Sequence, residues 1–272
     1  MLKRLVVSAV GISLLFAILL LLESWVMIPI ICLLSAIAVY ELLYATGFLK
    51  LKRLLFPAIL FAALVPYWVS AGCDRSAALI AVIIYVMISF LFGILQPEKI
   101  TFTTICGTFF ASFVIPYFFS SVILIYCRDE VGLFYLLLTL VIAWGTDASA
   151  MLCGMMFGRH KLIPRISPKK TVEGSIGGMV GALALSALYI TITNHYFQTE
   201  FSYLPVLCMA FFGSIVGQLG DLSMSYIKRE YGIKDYGKIL PGHGGILDRF
   251  DSVLFVAPVV QAVLYVMEGL FL

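Results

Sequence analysis

The chain has 272 residues, of which 62% are hydrophobic and 12% charged, with a formal net charge of +3 and a mean hydropathy of +1.07. A soluble domain carries about 25% charged residues, so this composition excludes an ordinary water-soluble domain and predicts a membrane protein. The small positive balance suits a basic face turned to anionic lipid headgroups or phosphorylated ligands, and no nucleic-acid partner is expected.

Nine apolar runs reach the roughly 20 residues that a transmembrane helix needs. They fall at about 5–22, 25–45, 54–71, 77–96, 104–126, 132–150, 173–193, 204–224 and 253–271. The expected fold is therefore an all-α polytopic membrane protein of about nine helices. Cytoplasmic loops are enriched in Lys and Arg. With the amino terminus inside, only Arg75 and Arg128 of the 18 basic residues face outward, which leaves 18 − 2 = 16 inside. The spacing thus predicts a cytoplasmic amino terminus, an outer carboxyl terminus and a polar site on the cytoplasmic side. The first run, behind Lys3 and Arg4, is longer than a signal-peptide core, and Glu23-Ser24-Trp25 offers no small-x-small cleavage site. It is expected to be retained as a helix.

Residues 1–130 read as amino-terminal helices of unassigned role, and 131–272 as a catalytic region with two cytoplasmic motif loops, 159–174 and 225–252. In the first half Glu41, near the inner end of the second run, is the exception to an apolar texture. It is either a functional carboxylate or a side chain reaching for the interface. Pro116-Tyr117 marks a kink that neighbouring helices can accommodate. The six cysteines have no metal-binding spacing and read as small buried residues. A Cys73–Cys127 disulfide on the outer face is the alternative for that pair.

From the sixth run onward the texture changes. Asp147 places a carboxylate near the inner end of a helix, where burial at the bilayer centre would cost about 2.5–3.5 kcal/mol. Either ligand binding or a structural hydrogen bond would explain it. Gly154 and Gly158, then Gly174, Gly177, Gly178 and Gly181, form small-xxx-small faces for close helix packing. Between them lies a basic loop, Arg159 to Gly174. Ser167 suits an N-cap and Pro168 a first helical position, so a helix is expected to start there with Lys169 and Lys170 in its first turn. Cations at a helix amino terminus oppose its dipole unless an anion is bound. This placement suggests a phosphate site on free N–H groups. An ordinary basic anchor to lipid headgroups would explain it equally.

The densest charge follows. Asp221, Lys228, Arg229, Lys234, Asp235, Lys238, His243, Asp248, Arg249 and Asp251 fall within about thirty residues between two apolar runs. On a helix Asp221, Ser225 and Lys228 share one face, with Arg229 beside it; Asp248 and Asp251 open the last run from the same side. Oxygen-only ligands without clustered Cys or His favour a hard cation, Mg²⁺ above all. His243, with no second His near, suits hydrogen bonding or phosphate contact better than metal ligation. The glycines around it, Gly244 and Gly245 among them, either bring backbone close to a ligand or make a plain tight turn.

These residues resemble a known signature. Ser225-x-Ile227-Lys228-Arg229-x4-Lys234-Asp235-x-Gly237-x2-Leu240-Pro241-x-His243-Gly244-Gly245-Ile246-x-Asp248-Arg249-Phe250-Asp251 is similar to that of the phosphatidate cytidylyltransferases, or CDP-diacylglycerol synthases. A second element of that family, Ser-Pro-x-Lys-Thr-x-Glu-Gly, stands at Ser167 to Gly174. The resemblance covers about residues 143–252. It implies transfer of the cytidylyl group of CTP to phosphatidate, giving CDP-diacylglycerol and pyrophosphate for phospholipid biosynthesis, at the inner face of a bacterial-type inner membrane. It also implies Mg²⁺ with Asp221 and Asp248 as the leading ligands. Met224 departs from the pattern, standing where relatives often carry Glu, which favours one metal over two and leaves a second cation open.

On this reading Lys228, Arg229, Lys234 and Arg249 clamp phosphates, with Asp235 and Asp251 orienting the cations. His243 completes the catalytic set. Ser167, Lys169, Lys170, Thr171, Glu173, Gly244, Gly245 and Asp147 contact substrate. The partners are CTP, phosphatidate and the bilayer, and a homodimer is compatible with the reading. Two rivals stand beside it: a secondary transporter of an anionic solute, and a CTP-dependent lipid kinase. No charge pair recurs in two halves as an inverted repeat would require, which counts against the transporter.

Overall fold

The computed structural model describes residues 24–48, 52–72, 75–128, 131–239 and 244–271. The expected first span, Cys73, Leu240, Pro241 and His243 lie outside the described residues. Among the described residues are eight helices long and apolar enough to cross a membrane, and they make the chain an integral membrane protein. In hydrocarbon every backbone N–H and C=O must be satisfied internally, which a helix does within its own segment.

The helices are α1 (Ser24–Ala45), α2 (Lys52–Ser70), α3 (Arg75–Leu95), α4 (Phe102–Tyr126), α5 (Gly132–Phe157), α6 (Val172–Tyr196), α7 (Tyr203–Glu230) and α8 (Leu247–Phe271). Each expected span from the second to the ninth has its helix. Helices α5, α7 and α8 begin or end well beyond the apolar run, so that Lys228 and Arg229 close α7 and Asp248 opens α8.

The chain divides into two compact units. One comprises residues up to Cys127 together with Ile233–Arg249; the other comprises Arg128–Gly232 and Phe250 onward. In the first, α1 and α2 pack on each other and on α4, and α3 lies against α2 and α4. Its centre is aromatic: the Phe61 ring stacks on Tyr85 at 4.7 Å and meets Phe113 at 4.5 Å. The Tyr85 hydroxyl, which would be costly to bury alone, is paired with Ser112 Oγ at 2.8 Å.

In the second unit α5 and α6 pack along the expected glycine faces, with α7 against both. A Cβ at Gly177 would run into Cys153, and one at Gly181 into Ser149. Likewise a Cβ at Gly217 would press on Val256 at 2.8 Å, and one at Gly220 would strike the Phe255 ring. Small residues here set the helix separation. Arg128 pairs with Glu268 and stands 5.1 Å from the Tyr265 ring centroid.

The basic loop departs from expectation. Ser167–Thr171 is a strand, β2, paired antiparallel with β1 (Lys161–Ile163) in the register Lys161↔Thr171 and Ile163↔Ser167. Helix α6 starts four residues later than Ser167 would have it. Thr171 is the cap, its Oγ1 accepting the Gly174 N–H at 3.1 Å. Two N-cap signals compete in this stretch, and the later one wins because residues 167–171 can then pair with 161–163. Pro168 is tolerated since a two-stranded hairpin has only edge strands. Glu173 closes the hairpin base by accepting the N–H groups of Arg159 at 3.1 Å and His160 at 3.2 Å, with His160 Nδ1 at 2.6 Å.

Candidate functional site

The hairpin redirects the two lysines. On a strand successive side chains point to opposite faces, so Lys169 is exposed while Lys170 turns inward. Lys170 Nζ lies 2.5 Å from Asp221 Oδ2 on α7. The expected convergence of both ammonium groups on a helix amino terminus is therefore corrected: neither lies in a helix, and the dipole argument for a phosphate there falls. A second link joins the same two elements, Arg229 Nε donating to the Ile166 carbonyl at 3.2 Å. Hairpin and helix are thus fixed to each other by two cations, one at each end of β2.

Around Asp221 the second unit collects its charge. Ser225, one turn on, donates to Asp221 Oδ1 at 3.4 Å, as the shared helix face predicts. Asp147 on α5 accepts a hydrogen bond from the Ser252 hydroxyl and lies within electrostatic reach of Asp221 and Lys170. Asp251 on α8 is within reach of Asp221, Asp147 and Lys228, and its Oδ1 accepts the Ser252 N–H at 3.0 Å. Lys228 is only 8% exposed. Three carboxylates, Asp147, Asp221 and Asp251, thus share one field with two lysines.

In the first unit the signature segment folds around Asp248, itself 8% exposed. Asp248 Oδ2 accepts the N–H of Tyr236 at 2.8 Å and of Gly245 at 2.9 Å. Gly244 has φ +87°, a left-handed conformation that side chains rarely adopt, and a Cβ there would sit 2.9 Å from Asp248 Oδ2. Lys234, Asp235 and Arg249 are exposed, whereas Tyr236 between them is buried.

Sequence reasoning missed Ser252 and the Ser175–Gln218 pair, and left the partners of Glu41 unnamed. Ser252 orients both Asp147 and Asp251. Ser175 Oγ donates to Gln218 Oε1 at 2.6 Å between α6 and α7. Glu41 accepts the N–H groups of Ile246 at 3.1 Å and Leu247 at 2.9 Å. Only the last left a signal, a lone carboxylate in an apolar helix, and nothing in the sequence named its partners. Met224, where the signature differs, is fully buried in α7.

Carboxylate oxygens are suitable donors for a hard divalent cation. Among the described residues no group of three or more Asp, Glu, His or Cys forms a ready-made metal cage. Mg²⁺ does not need one, since it keeps several waters and is bound through one or two carboxylates plus substrate phosphates. The carboxylates around Asp221 in one unit, and Asp248 in the other, are each oxygen donors of the kind that this mode of binding uses.

Comparison with known proteins finds relatives that carry one name. A phosphatidate cytidylyltransferase of Bacillus subtilis (strain 168) is 42% identical over 173 residues, which are 64% of this chain and 63% of that protein. Those of Staphylococcus haemolyticus and Staphylococcus aureus (strain COL) are 43% and 48% identical over 139 residues, covering 51% and 50% of this chain and 52% and 51% of theirs. The chain therefore spans less than two thirds of the length of the relatives it matches. The family profile reaches further, from residue 2 to residue 267. With nearly all of its helices and both charged motifs inside that match, the chain belongs to the cytidylyltransferase family.

Proposed function

We propose that the chain transfers the cytidylyl group of CTP to phosphatidate, releasing pyrophosphate and forming CDP-diacylglycerol for phospholipid synthesis. The observation that carries the reading is the Lys170–Asp221 ion pair, which joins the basic hairpin to the helix that leads into the second motif. The relatives' names point to the same substrates.

The reaction breaks the bond between the α-phosphorus of CTP and its bridging oxygen to the β-phosphate, and forms one to a phosphate oxygen of phosphatidate. That phosphate has a second pKa near 6, so at neutral pH it is already mostly dianionic and needs no strong base. The difficulty is to align two anions that repel each other. Lysine and arginine side chains address this directly. Lys170, Lys228 and Arg229 in one unit, and Lys234 and Arg249 in the other, are the phosphate-binding groups. Asp147, Asp235 and Asp251 hold cations in place, and Ser252 fixes the orientation of Asp147 and Asp251. Lys169, Ser167, Thr171, Glu173, His243, Gly244 and Gly245 complete the proposed substrate contacts. Asp221 and Asp248 would hold Mg²⁺, which when bound supplies charge neutralisation on the triphosphate.

The topology follows the basic residues. The amino terminus is cytoplasmic, a ninth helix precedes α1, and the charged cluster faces the cytoplasm beneath a bacterial-type inner membrane. The test uses purified protein in detergent with phosphatidate and CTP labelled at the α- or the γ-phosphate. Lipid-soluble α-label is the expected result. Label appearing only from the γ-phosphate identifies a kinase, and solute uptake into proteoliposomes without turnover identifies a transporter; either overturns the reading.

A further inference from the structure

Glu41 is the single charged residue of α1 and is 2% exposed. Its partners among the described residues are backbone N–H groups: Oε1 takes that of Ile246 and Oε2 that of Leu247, 205 and 206 residues away in sequence. These N–H groups begin α8, where the first turn has no intrahelical acceptor. A carboxylate there is favoured by the helix dipole. The seat is shaped for it, because a Cβ at either Gly237 or Gly245 would run into the Glu41 carboxylate.

The segment so held also carries Asp248, which takes the N–H groups of Tyr236 and Gly245. Four backbone N–H groups at positions 236, 245, 246 and 247 are therefore satisfied by two carboxylates. One comes from within the signature, the other from the amino-terminal helices. A helix cap needs only a local Ser, Thr, Asp or Asn. A buried carboxylate brought from α1 does more, since it ties the orientation of the first turn of α8 to the amino-terminal helices.

We propose that Glu41 is a positioning residue for cytidylyl transfer, anchoring the start of α8 and the glycine segment so that Asp248 keeps one orientation. This rests on the proposed reaction. It assigns a role to the amino-terminal helices, which the signature does not reach.

The experiment compares Glu41→Gln, Glu41→Ala and Gly237→Ala with Glu98→Gln, an exposed control in the same unit. Steady-state cytidylyl transfer and backbone amide exchange are measured on each in detergent. Glu41→Ala is expected to lower kcat roughly 10–100-fold, as loss of a supporting carboxylate commonly does, with KM for CTP changed much less. Amides in peptides covering 244–248 should exchange about tenfold faster or more, while those of α5 to α7 keep their protection. Glu41→Gln, which retains one carbonyl acceptor, should fall between. Gly237→Ala should resemble Glu41→Ala, and Glu98→Gln the parent. Unchanged exchange at 244–248, or faster exchange with unchanged kcat, overturns the proposal. Absence of transfer by the parent chain sinks the reaction instead, and the exchange measurement then judges the anchor without turnover.

Discussion

Lys170 Nζ sits 2.5 Å from Asp221 Oδ2, so a strand of the basic hairpin and the middle of α7 meet through one ion pair. Both side chains are about one quarter exposed, at 27% and 24%. The pair is neither a solvated surface contact nor a sealed one, and it can exchange partners with an incoming phosphate or cation. Residues in direct contact are energetically coupled. A double-mutant cycle of Lys170→Ala and Asp221→Asn should therefore show a combined loss of transfer well below the product of the single losses. The control Lys99→Ala, an exposed lysine, should leave kcat/KM within about twofold. Strict multiplicativity of the two single effects would remove the coupling.

Asp221→Asn and Asp248→Asn should each reduce cytidylyl transfer by about three orders of magnitude or more, the size expected when a group binding reacting phosphates is lost. Asn keeps an oxygen for the N–H groups of Tyr236 and Gly245, so Asp248→Asn should still be recovered folded by size-exclusion chromatography. Near-parental activity of either variant would take that residue out of the metal-binding set.

Removal of divalent cations should abolish transfer, and Mg²⁺ should restore it. Because the carboxylates supply an incomplete shell that substrate phosphates finish, calorimetry should show tighter Mg²⁺ binding with CTP present than without. Equal affinity in both conditions would point to an all-protein site instead.

Asp248→Ala should behave differently from Asp248→Asn. It leaves two buried N–H groups unpaired, each costing about 1–3 kcal/mol. Thermal unfolding in detergent should therefore begin at a clearly lower temperature than for Asp248→Asn. Indistinguishable unfolding of the two variants would mean that the Tyr236 and Gly245 bonds do not stabilise this segment.

Gly177→Ala should destabilise the protein by about 1–3 kcal/mol, the usual effect of overpacking, because the new methyl meets the Cys153 side chain. Adding Cys153→Ala should recover most of that loss. A double variant no better than Gly177→Ala would show that the α5–α6 contact is not what limits this position.

Legibility differed by element. The eight described spans could be read from sequence because a run of about twenty apolar residues is informative about its environment whatever it packs against. The shared face of Asp221 and Ser225 was equally readable, since helix periodicity alone places them together. The hairpin was not. Ser167-Pro168 and Thr171 are both sound helix starts, and the choice between them was made by pairing with Lys161–Ile163 and by Glu173 bonding back to Arg159 and His160. The inward turn of Lys170 followed from that choice.

The sequence by itself determined that this is a membrane-embedded chain with one charged signature, because hydropathy and motif spacing are sums over neighbours along the chain. Only the tertiary structure decided that Lys170 answers Asp221, that Ser252 serves Asp147, and that Glu41 caps a helix more than two hundred residues away. Those pairings depend on which helices pack together and on how closely glycines let them approach. A side chain's partner inside a low-dielectric bundle is selected by geometry, not by its place in the chain.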